Sequence, residues 1–467
     1  MGRVRHVHLV GIGGIGMSSI AGVLLSRGFR VSGSDLSESD VTEKLVEQGA
    51  TVYIGHAAEY VADADVVVYS SAVKPAENPE TIEALRQRIP LIGRAEMLAE
   101  LMRMKYGIGI AGTHGKTTTT SMAGLVVRAG SFDPTVIVGG KVEAFGSTNA
   151  VTGEGDVIII EADEYDRTFL RLTPVIAVIT NIDAEHLDIY EDLDDLRAAF
   201  LQYANSVPFF GAVIACLDDH NVPGILTEID RRVVTYGTAR QADLRAVNIQ
   251  QEGLKTTFTV QLFGYTLGKI VLKVPGLYNV RNALASVAVG LELDIPFDYI
   301  AHGLSQFGGV QRRFQPHGET NGVLVVDDYA HHPTEILATL EAASEGWPDR
   351  RLVVVFQPHL YSRTVDFLAD FGRSFFDADV LVVTDIYPAR EAPREGVTGK
   401  LIADEARRFG HRDVRYVSDK TELPDYVRGV IEPGDLVLWL GAGDIWRHSL
   451  AFWTALTGNE GQGAEGL

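Results

Sequence analysis

Two glycine-rich turns, each entered from an apolar strand and left through a helix, constrain this chain more than any other feature. The first is Gly11-Ile-Gly13-Gly14-Ile-Gly16, after Val7 to Val10; the second is Gly112-Thr113-His114-Gly115-Lys116-Thr117-Thr118, after Gly107 to Ala111. A strand, a tight glycine turn and a helix opening let backbone N–H groups approach a diphosphate. Asp35 follows Gly11 by 24 residues, where dinucleotide enzymes place a ribose-binding acid, so the first turn alone favours a nicotinamide or flavin enzyme. The plainer alternative is glycines that serve only close strand–helix packing. In the second turn Lys116 is placed to reach β and γ phosphates and Thr117 to hold Mg²⁺. Its spacing departs from the general P-loop, because Ile110 stands five residues before Gly115 and the nearest glycines are Gly109 and Gly112. One cofactor does not explain two such turns, so two different nucleotides are implied.

The chain has room for both, since 467 residues at ~100–200 per domain give two to four domains, with three as the central expectation. Short β-branched runs alternate with helical stretches from Val4 to about Arg103, again from Tyr106, and a third time from Gly322 to about Leu456. Each series reads as a parallel sheet covered by helices. Between about Ala246 and Val274 strands follow one another without helices, which predicts an antiparallel section. The joins are expected near Met104 and Pro316. The residues from Thr457 onward read as a flexible tail.

Charge and cysteine usage narrow the classes further. Forty-one Lys and Arg against 62 Asp and Glu leave a net charge of −21, which argues against nucleic acid and anionic membranes while leaving small anionic ligands open. The single cysteine excludes an internal disulfide or a multi-cysteine metal site and points to a reducing, cytoplasmic setting. No apolar run approaches the ~18 residues of a membrane span, and the amino terminus lacks a signal-peptide core, so no membrane insertion is expected.

Polar groups gather at the carboxyl ends of the apolar strands, where ligands bind in such sheets. Glu161-Ala-Asp163-Glu164 and Asn181-Ile-Asp183-Ala-Glu185-His186-Leu-Asp188 follow two strands beyond the P-loop, with Glu161 and His186 as metal-ligand candidates. Tyr278-Asn279-Val-Arg281-Asn282 opens a later helix, and Gln311-Arg312-Arg313-Phe314 offers two guanidiniums for acyl or phosphoryl oxygens. Each is also compatible with an ordinary cap or surface pair. In the third series Asp327-Asp328-Tyr329-Ala-His331-His332-Pro333 and Gln357-Pro-His359-Leu-Tyr361-Ser362-Arg363-Thr364 end successive strands. Zinc is a poor reading of the paired histidines, because neighbours on one turn seldom share a metal.

Together these residues resemble the Mur ligase family, ATP-dependent ligases that build the peptide of peptidoglycan, along the whole chain. The family's P-loop variant G-T-H-G-K-T stands at 112 to 117. The segments Gly11 to Gly16, Ser70-Ser71-Ala72, Glu161 to Glu164, Asn181 to Asp188, Asp327 to Pro333 and Gln357 to Thr364 are most similar to its alanine-adding branch. The resemblance implies an α/β protein of three domains. Residues 1–103 would form a Rossmann-like domain for UDP-N-acetylmuramate, and residues 104–315 a P-loop domain for ATP, with a mainly parallel sheet plus antiparallel strands. Residues 316–456 would form a Rossmann-like domain for L-alanine, followed by the 457–467 tail.

Residue by residue, the resemblance implies that Gly11, Gly13, Gly14, Gly16, Ser70 and Ser71 hold the UDP sugar. It places Gly112, Thr113, His114, Gly115, Lys116, Thr117, Thr118, Asn279, Asn282 and Asp328 by ATP, with Thr117, Glu161 and His186 on Mg²⁺. Arg312 or Arg313 would meet the reacting carboxylate, while Tyr329, His331, His359 and Arg363 form the amino-acid pocket. Catalysis would thus fall to Lys116, Glu161, His186, Arg312, Arg313 and His331, in a monomer or weak homodimer. Many members carry a carbamylated lysine after the histidine strand, yet Leu187 to Phe210 contains none, a lack shared by the alanine-adding branch. The rivals are a recycling ligase that attaches an intact tripeptide, an NAD(P) oxidoreductase and a nonenzymatic nucleotide-binding scaffold.

Overall fold

The computed structural model describes residues 2–142, 145, 148–185 and 189–458; His186 and the tail beyond residue 458 lie outside them. By contact density the chain forms two units. One comprises Met1–Asn248, Phe258–Ile270 and Arg281–Phe307, the other Ile249–Thr257, Val271–Val280 and Gly308–Leu467.

The first unit opens with β1 (His6–Val10), β2 (Arg30–Asp35), β3 (Thr51–Ile54), β4 (Val66–Tyr69) and β5 (Leu91–Gly93), in the order β3-β2-β1-β4-β5. Every pairing is parallel, as right-handed strand–helix–strand units dictate. Strand order reverses between β1 and β4, and the register sets Val10 beside Tyr69 and Ser34. The first glycine turn therefore emerges at the switch point, where open α/β sheets bind ligands. Helix starts here follow local chemistry: Asn78 Oδ1 accepts from the N–H groups of Glu80 and Thr81, and Pro79 fills the first helical position.

The second sheet is built on β6 (Tyr106–Ala111), β7 (Thr135–Val142), β8 (Thr148–Val151), β9 (Val157–Glu161), β10 (Ile176–Ile179), β11 (Ala212–Cys216), β12 (Val233–Gly237), β13 (Leu244–Glu252), β14 (Lys255–Leu262) and β15 (Tyr265–Leu272). Its order is β15-β14-β13-β12-β11-β10-β6-β9-β7-β8. The middle strands pair in parallel and β7 with β8 antiparallel. The expected helix-free section is β13 to β15, where two-residue connections between neighbours require antiparallel pairing. Ile108, Ile110, Ile159, Ile160, Val178 and Ile179 are completely buried, each contributing ~1.5–3 kcal/mol of transfer free energy. Such two-sided burial explains the continuous apolar runs at the centre of this sheet.

The second unit carries β16 (Gln315–Thr320), β17 (Val323–Asp328), β18 (Leu352–Phe356), β19 (Val380–Val383), β20 (Val414–Tyr416) and β21 (Leu436–Leu440), in the order β16-β17-β21-β18-β19-β20. Only the β16–β17 pairing is antiparallel. Asp328 and Phe356 both lie opposite Leu440, and Phe356 opposite Val383, so the residues that follow these strands leave the sheet at one level. No helix among the described residues is long and apolar enough to cross a membrane.

Candidate active site

A cavity of about 730 Å³ opens over the first glycine turn, lined by Gly11, Gly13, Gly14, Asp35, His56 and Ser70 among others. Gly11 has φ +81°, and a Cβ there would sit 3.0 Å from Ser70 Oγ. Gly11 N and Ile12 N both donate to Ser34 O, and Gly13 N donates to Asp35 Oδ2 at 2.8 Å. Asp35 thus secures the turn, and Gly14, the cap of the helix Ile15–Ser26, borders the cavity at that helix's amino-terminal end, where an anion is favoured. Gly16 and Ser71 do not line the cavity; a side chain at Gly16 would strike the Arg94 guanidinium.

The second glycine turn bridges β6 and the helix Lys116–Ala129. Gly112 has φ +138° and Gly115 φ +81°, conformations that favour glycine. A Cβ at Gly112 would overlap Thr180 Oγ1, and one at Gly115 would come within 2.6 Å of Asn282 Oδ1. Asn181 straps the loop from the end of β10: its side chain accepts from His114 N at 2.8 Å and donates to His114 O at 2.9 Å. Thr113 Oγ1 accepts from Asp183 N at 2.9 Å, and Thr180 Oγ1 donates to His114 O at 2.6 Å. His114 Nε2 lies 3.2 Å from Asp183 Oδ2. Thr118 is buried in the first helical turn, and Asn282 Oδ1 accepts from Thr119 Oγ1 at 3.1 Å.

Lys116 Nζ donates to Gly112 O at 2.8 Å, to Thr113 O at 3.2 Å and to both oxygens of Glu164 at 2.9 and 2.7 Å; Asp163 lies 3.9 Å away. Burial disfavours the ammonium, but Glu164, Asp163 and Glu161 outweigh that effect and hold its pKa above the ordinary lysine value. Burial pushes Glu164 up to about 7 against the pull of Lys116, and it raises Glu161 as well. Glu161 accepts from Thr117 Oγ1, 3.0 Å from each oxygen, and from Gly139 N at 2.6 Å. Three acids therefore surround one ammonium. That surplus of carboxylate oxygens beside a threonine hydroxyl suits a hard divalent cation such as Mg²⁺.

In the second unit Asp328 is buried and accepts from Phe314 N and Ala330 N, both at 2.7 Å; burial moves its carboxyl up to about 6. Here it holds the loops together rather than presenting an open oxygen. Asn279, also buried, donates from its amide to Pro275 O at 2.7 Å. The Arg312 and Arg313 guanidiniums sit 4.7 and 5.1 Å from the centre of the Tyr329 ring. Arg312 also donates to Gly441 O at 2.6 Å, while Arg313 donates to Glu335 at 3.0 Å. Beside them Tyr329, His331, His359 and Arg363 come together. Ring centroids are 5.3 Å apart for Tyr329 and His331 and 5.8 Å for His331 and His359, and Arg363 Nη1 lies 3.3 Å from His359 Nδ1. His332 turns elsewhere, accepting from Thr334 N and meeting Phe367 edge to face.

Several neighbouring contacts join residues far apart in the sequence. Tyr387 stacks on His359 at 5.8 Å, Lys420 pairs with Asp444 at 2.6 Å, and Gln357 donates to Asp444 at 3.0 Å. Glu164 and Asn181 lie in polar strand ends already singled out, but which side chain turns inward depends on the fold.

Three family models match in chain order. Residues 6–106 match the Mur ligase family catalytic domain, 110–290 the Mur ligase middle domain and 312–443 the Mur ligase glutamate ligase domain. The chain is 65% identical over 465 residues to the UDP-N-acetylmuramate–L-alanine ligase of Salinibacter ruber, covering 100% of this chain and 98% of that protein. The chain belongs to the Mur ligase family. The ligase of the same description from Geobacter sulfurreducens is 54% identical, with 97% of each chain covered. Among solved structures, the UDP-N-acetylmuramate-alanine ligase of Thermotoga maritima superposes with a TM-score of 0.78 at 30% identity, over 97% of this chain and 100% of that one. A murein peptide ligase from Psychrobacter arcticus matches with a TM-score of 0.67 at 24% identity, over 97% and 99%, and shares the Mur ligase fold.

Proposed function

We infer that this chain is an ATP-dependent ligase that joins L-alanine to the carboxylate of UDP-N-acetylmuramate through an acyl phosphate, in cytoplasmic peptidoglycan precursor synthesis. The observation that carries the reading is the buried Lys116 ammonium within reach of the P-loop carbonyls and three acids, in a chain 65% identical to an enzyme of that description. On this reading residues 1–103 take the UDP sugar, 104–315 the ATP and 316–456 the amino acid.

The chemistry follows from these groups. An amine attacks a carboxylate too slowly because oxide is a poor leaving group, so the carboxylate is first phosphorylated. Lys116 moves from Glu164 to the β and γ phosphates and neutralises charge as it develops on the transferring group. Thr117 and Glu161, with His186 from sequence, would hold Mg²⁺, which supplies further charge neutralisation. Arg312, in a π contact with Tyr329, faces the activated carboxylate, and Arg363 with His359 and Tyr387 orients the alanine carboxylate. The amine then attacks the carbonyl and phosphate leaves.

The test is phosphate release from Mg-ATP with UDP-N-acetylmuramate and either L-alanine, the L-Ala-γ-D-Glu-diamino-acid tripeptide or no acceptor. Release that requires L-alanine is expected. Release with the tripeptide alone would move the chain to recycling, and no release with any acceptor would overturn the ligase reading.

A further inference from the structure

A buried polar chain lies under the nucleotide cavity, and the ligase reading leaves it unused. Glu80, fully buried in the first turn of the helix Pro79–Gln87, is its hub. His8 Nε2 lies 2.7 Å from Glu80 Oε2, Ser34 Oγ donates to the same oxygen at 2.8 Å, and His56 Nδ1 lies 2.8 Å from Glu80 Oε1. Burial alone would raise the carboxyl, but hydrogen bonds from His8, Ser34 and His56 outweigh it and hold Glu80 below its ordinary pKa. An ionised carboxylate only accepts, so each nitrogen facing it carries a proton.

The proton count can be followed from the far end. His6 Nδ1 is 2.8 Å from the Asp63 carbonyl, which only accepts, so that nitrogen is N–H. Burial lowers the His6 pKa and favours the neutral ring, which makes His6 Nε2 an acceptor for the Ser32 hydroxyl at 2.7 Å. The single Ser32 proton is then spent, and His8 Nδ1, 2.8 Å from Ser32 Oγ, must donate. His8 thus lies between Ser32 and Glu80, with Nδ1 on the hydroxyl and Nε2 on the carboxylate. His56 faces the Glu80 carboxylate with Nδ1, so the neutral ring carries its one proton there. Its Nε2 is left as an acceptor.

His56 lines the nucleotide cavity with 19% of its side chain exposed. Because Nδ1 turns inward to Glu80 and to Ser34 Oγ at 3.0 Å, the Nε2 edge is the one that meets the cavity. A bare acceptor repels phosphate oxygens, which belong at the helix opening beside the glycine turn, and it attracts a donor on a base. Uracil presents its imide N3–H. Cytosine presents a lone pair at the same position.

We propose that Glu80 acts as a positioning residue that sets the base specificity of the nucleotide cavity, locking His56 in the tautomer whose Nε2 accepts the N3–H of uracil. This rests on the UDP-sugar reading of the cavity. A base that leaves a buried polar group facing another acceptor loses roughly tenfold to a hundredfold in affinity.

The experiment is titration calorimetry of the full chain with UDP and with CDP, together with long-range proton–nitrogen NMR of the His56 ring. The unaltered chain is expected to prefer UDP by tenfold or more and to show His56 protonated at Nδ1. His56→Phe should bring the two affinities within about threefold, since the discriminating contact is gone. Glu80→Met should lower the ratio through mixed His56 tautomers. Glu80→Gln should keep it, because its amide donates to His8 while its oxygen still accepts from His56. An Nε2–H ring in the unaltered chain, or an unchanged UDP to CDP ratio in folded His56→Phe, would overturn the proposal and leave the ligase reading standing; the NMR result holds even if the Glu80 variants do not fold. Failure of the unaltered chain to bind UDP at all would instead sink the nucleotide reading of the cavity.

Discussion

Glu164 grips the Lys116 ammonium with both carboxylate oxygens, at 2.9 and 2.7 Å, inside a site that excludes most water. Any phosphate that takes this ammonium must displace Glu164, so the pair is a structural tie that such binding would break. Breaking a buried pair from one side leaves the other charge uncompensated, at ~3–5 kcal/mol.

That asymmetry gives a prediction with a pH sign. In Lys116→Met the Glu164 carboxyl keeps its burial and loses its cation, so it folds protonated and resists ionisation as pH rises. The folded state then binds more protons than the unfolded one above the ordinary carboxyl pKa, and stability must fall with pH there. Thermal melts should show the variant further below the parent at pH 8 than at pH 6, with Glu164→Gln restoring much of the loss. Phosphate release should drop at least ~1,000-fold in both the single and double variants. Near-normal turnover in a folded Lys116→Met would end the P-loop assignment.

The two loop glycines make a sharper steric case. Gly115→Ala imposes φ +81° on alanine and brings its Cβ to 2.6 Å from Asn282 Oδ1, while Gly112→Ala drives a methyl into Thr180 Oγ1. Each should cost ~1–3 kcal/mol of stability and move the loop carbonyls that hold Lys116. Nucleotide binding followed by calorimetry should weaken at least tenfold. Asn282→Ala should partly rescue Gly115→Ala and not Gly112→Ala; equal rescue of both would show that contact is not what limits the site.

Much of this site was legible because its chemistry is local. A glycine turn between an apolar strand and a helix constrains backbone geometry within seven residues, and Lys116 and Thr117 can take few other roles there. The polar strand ends were legible for the same reason. Which of Glu161, Asp163 and Glu164 takes the lysine was not, because the choice depends on the 3-10 turn that starts at Tyr165. The Asn181 strap reaches 67 residues back to His114, and His8 meets Glu80 across 72 residues, so neither leaves a short-range pattern. Alternation along β1 puts His6 and His8 on one face, but only the assembled sheet shows what they meet there.

Arg363 is expected to bear on substrate choice rather than on stability. Its guanidinium lies 3.3 Å from His359 Nδ1, and His359 stacks on Tyr387, so the group rests against a stacked ring pair. Arg363→Ala should raise the KM for L-alanine by roughly 10- to 100-fold, the loss of a charge-assisted hydrogen bond, and leave UDP-N-acetylmuramate affinity within about twofold. Steady-state kinetics with each substrate varied in turn separates the two. An unchanged KM for alanine would remove Arg363 from the pocket.

Asp327 supplies the clearest pH dependence of the second unit. It is buried, its Oδ1 finds no hydrogen-bond partner among the described residues, and Arg312 Nε stands 3.8 Å from Oδ2, too far for a hydrogen bond. Burial moves its carboxyl up to about 7, with Arg312 only partly offsetting the effect. An acid raised on folding holds its proton more tightly in the folded state. Its contribution therefore favours folding below the ordinary value near 4 and is lost as pH rises to about 7, amounting to ~2–4 kcal/mol at pH 8. Asp327→Asn keeps the shape and removes the charge, so its melting temperature should exceed the parent's at pH 8 and approach it at pH 5. A difference independent of pH across that range would mean that Asp327 is ionised in the folded protein and satisfied by a partner other than Arg312.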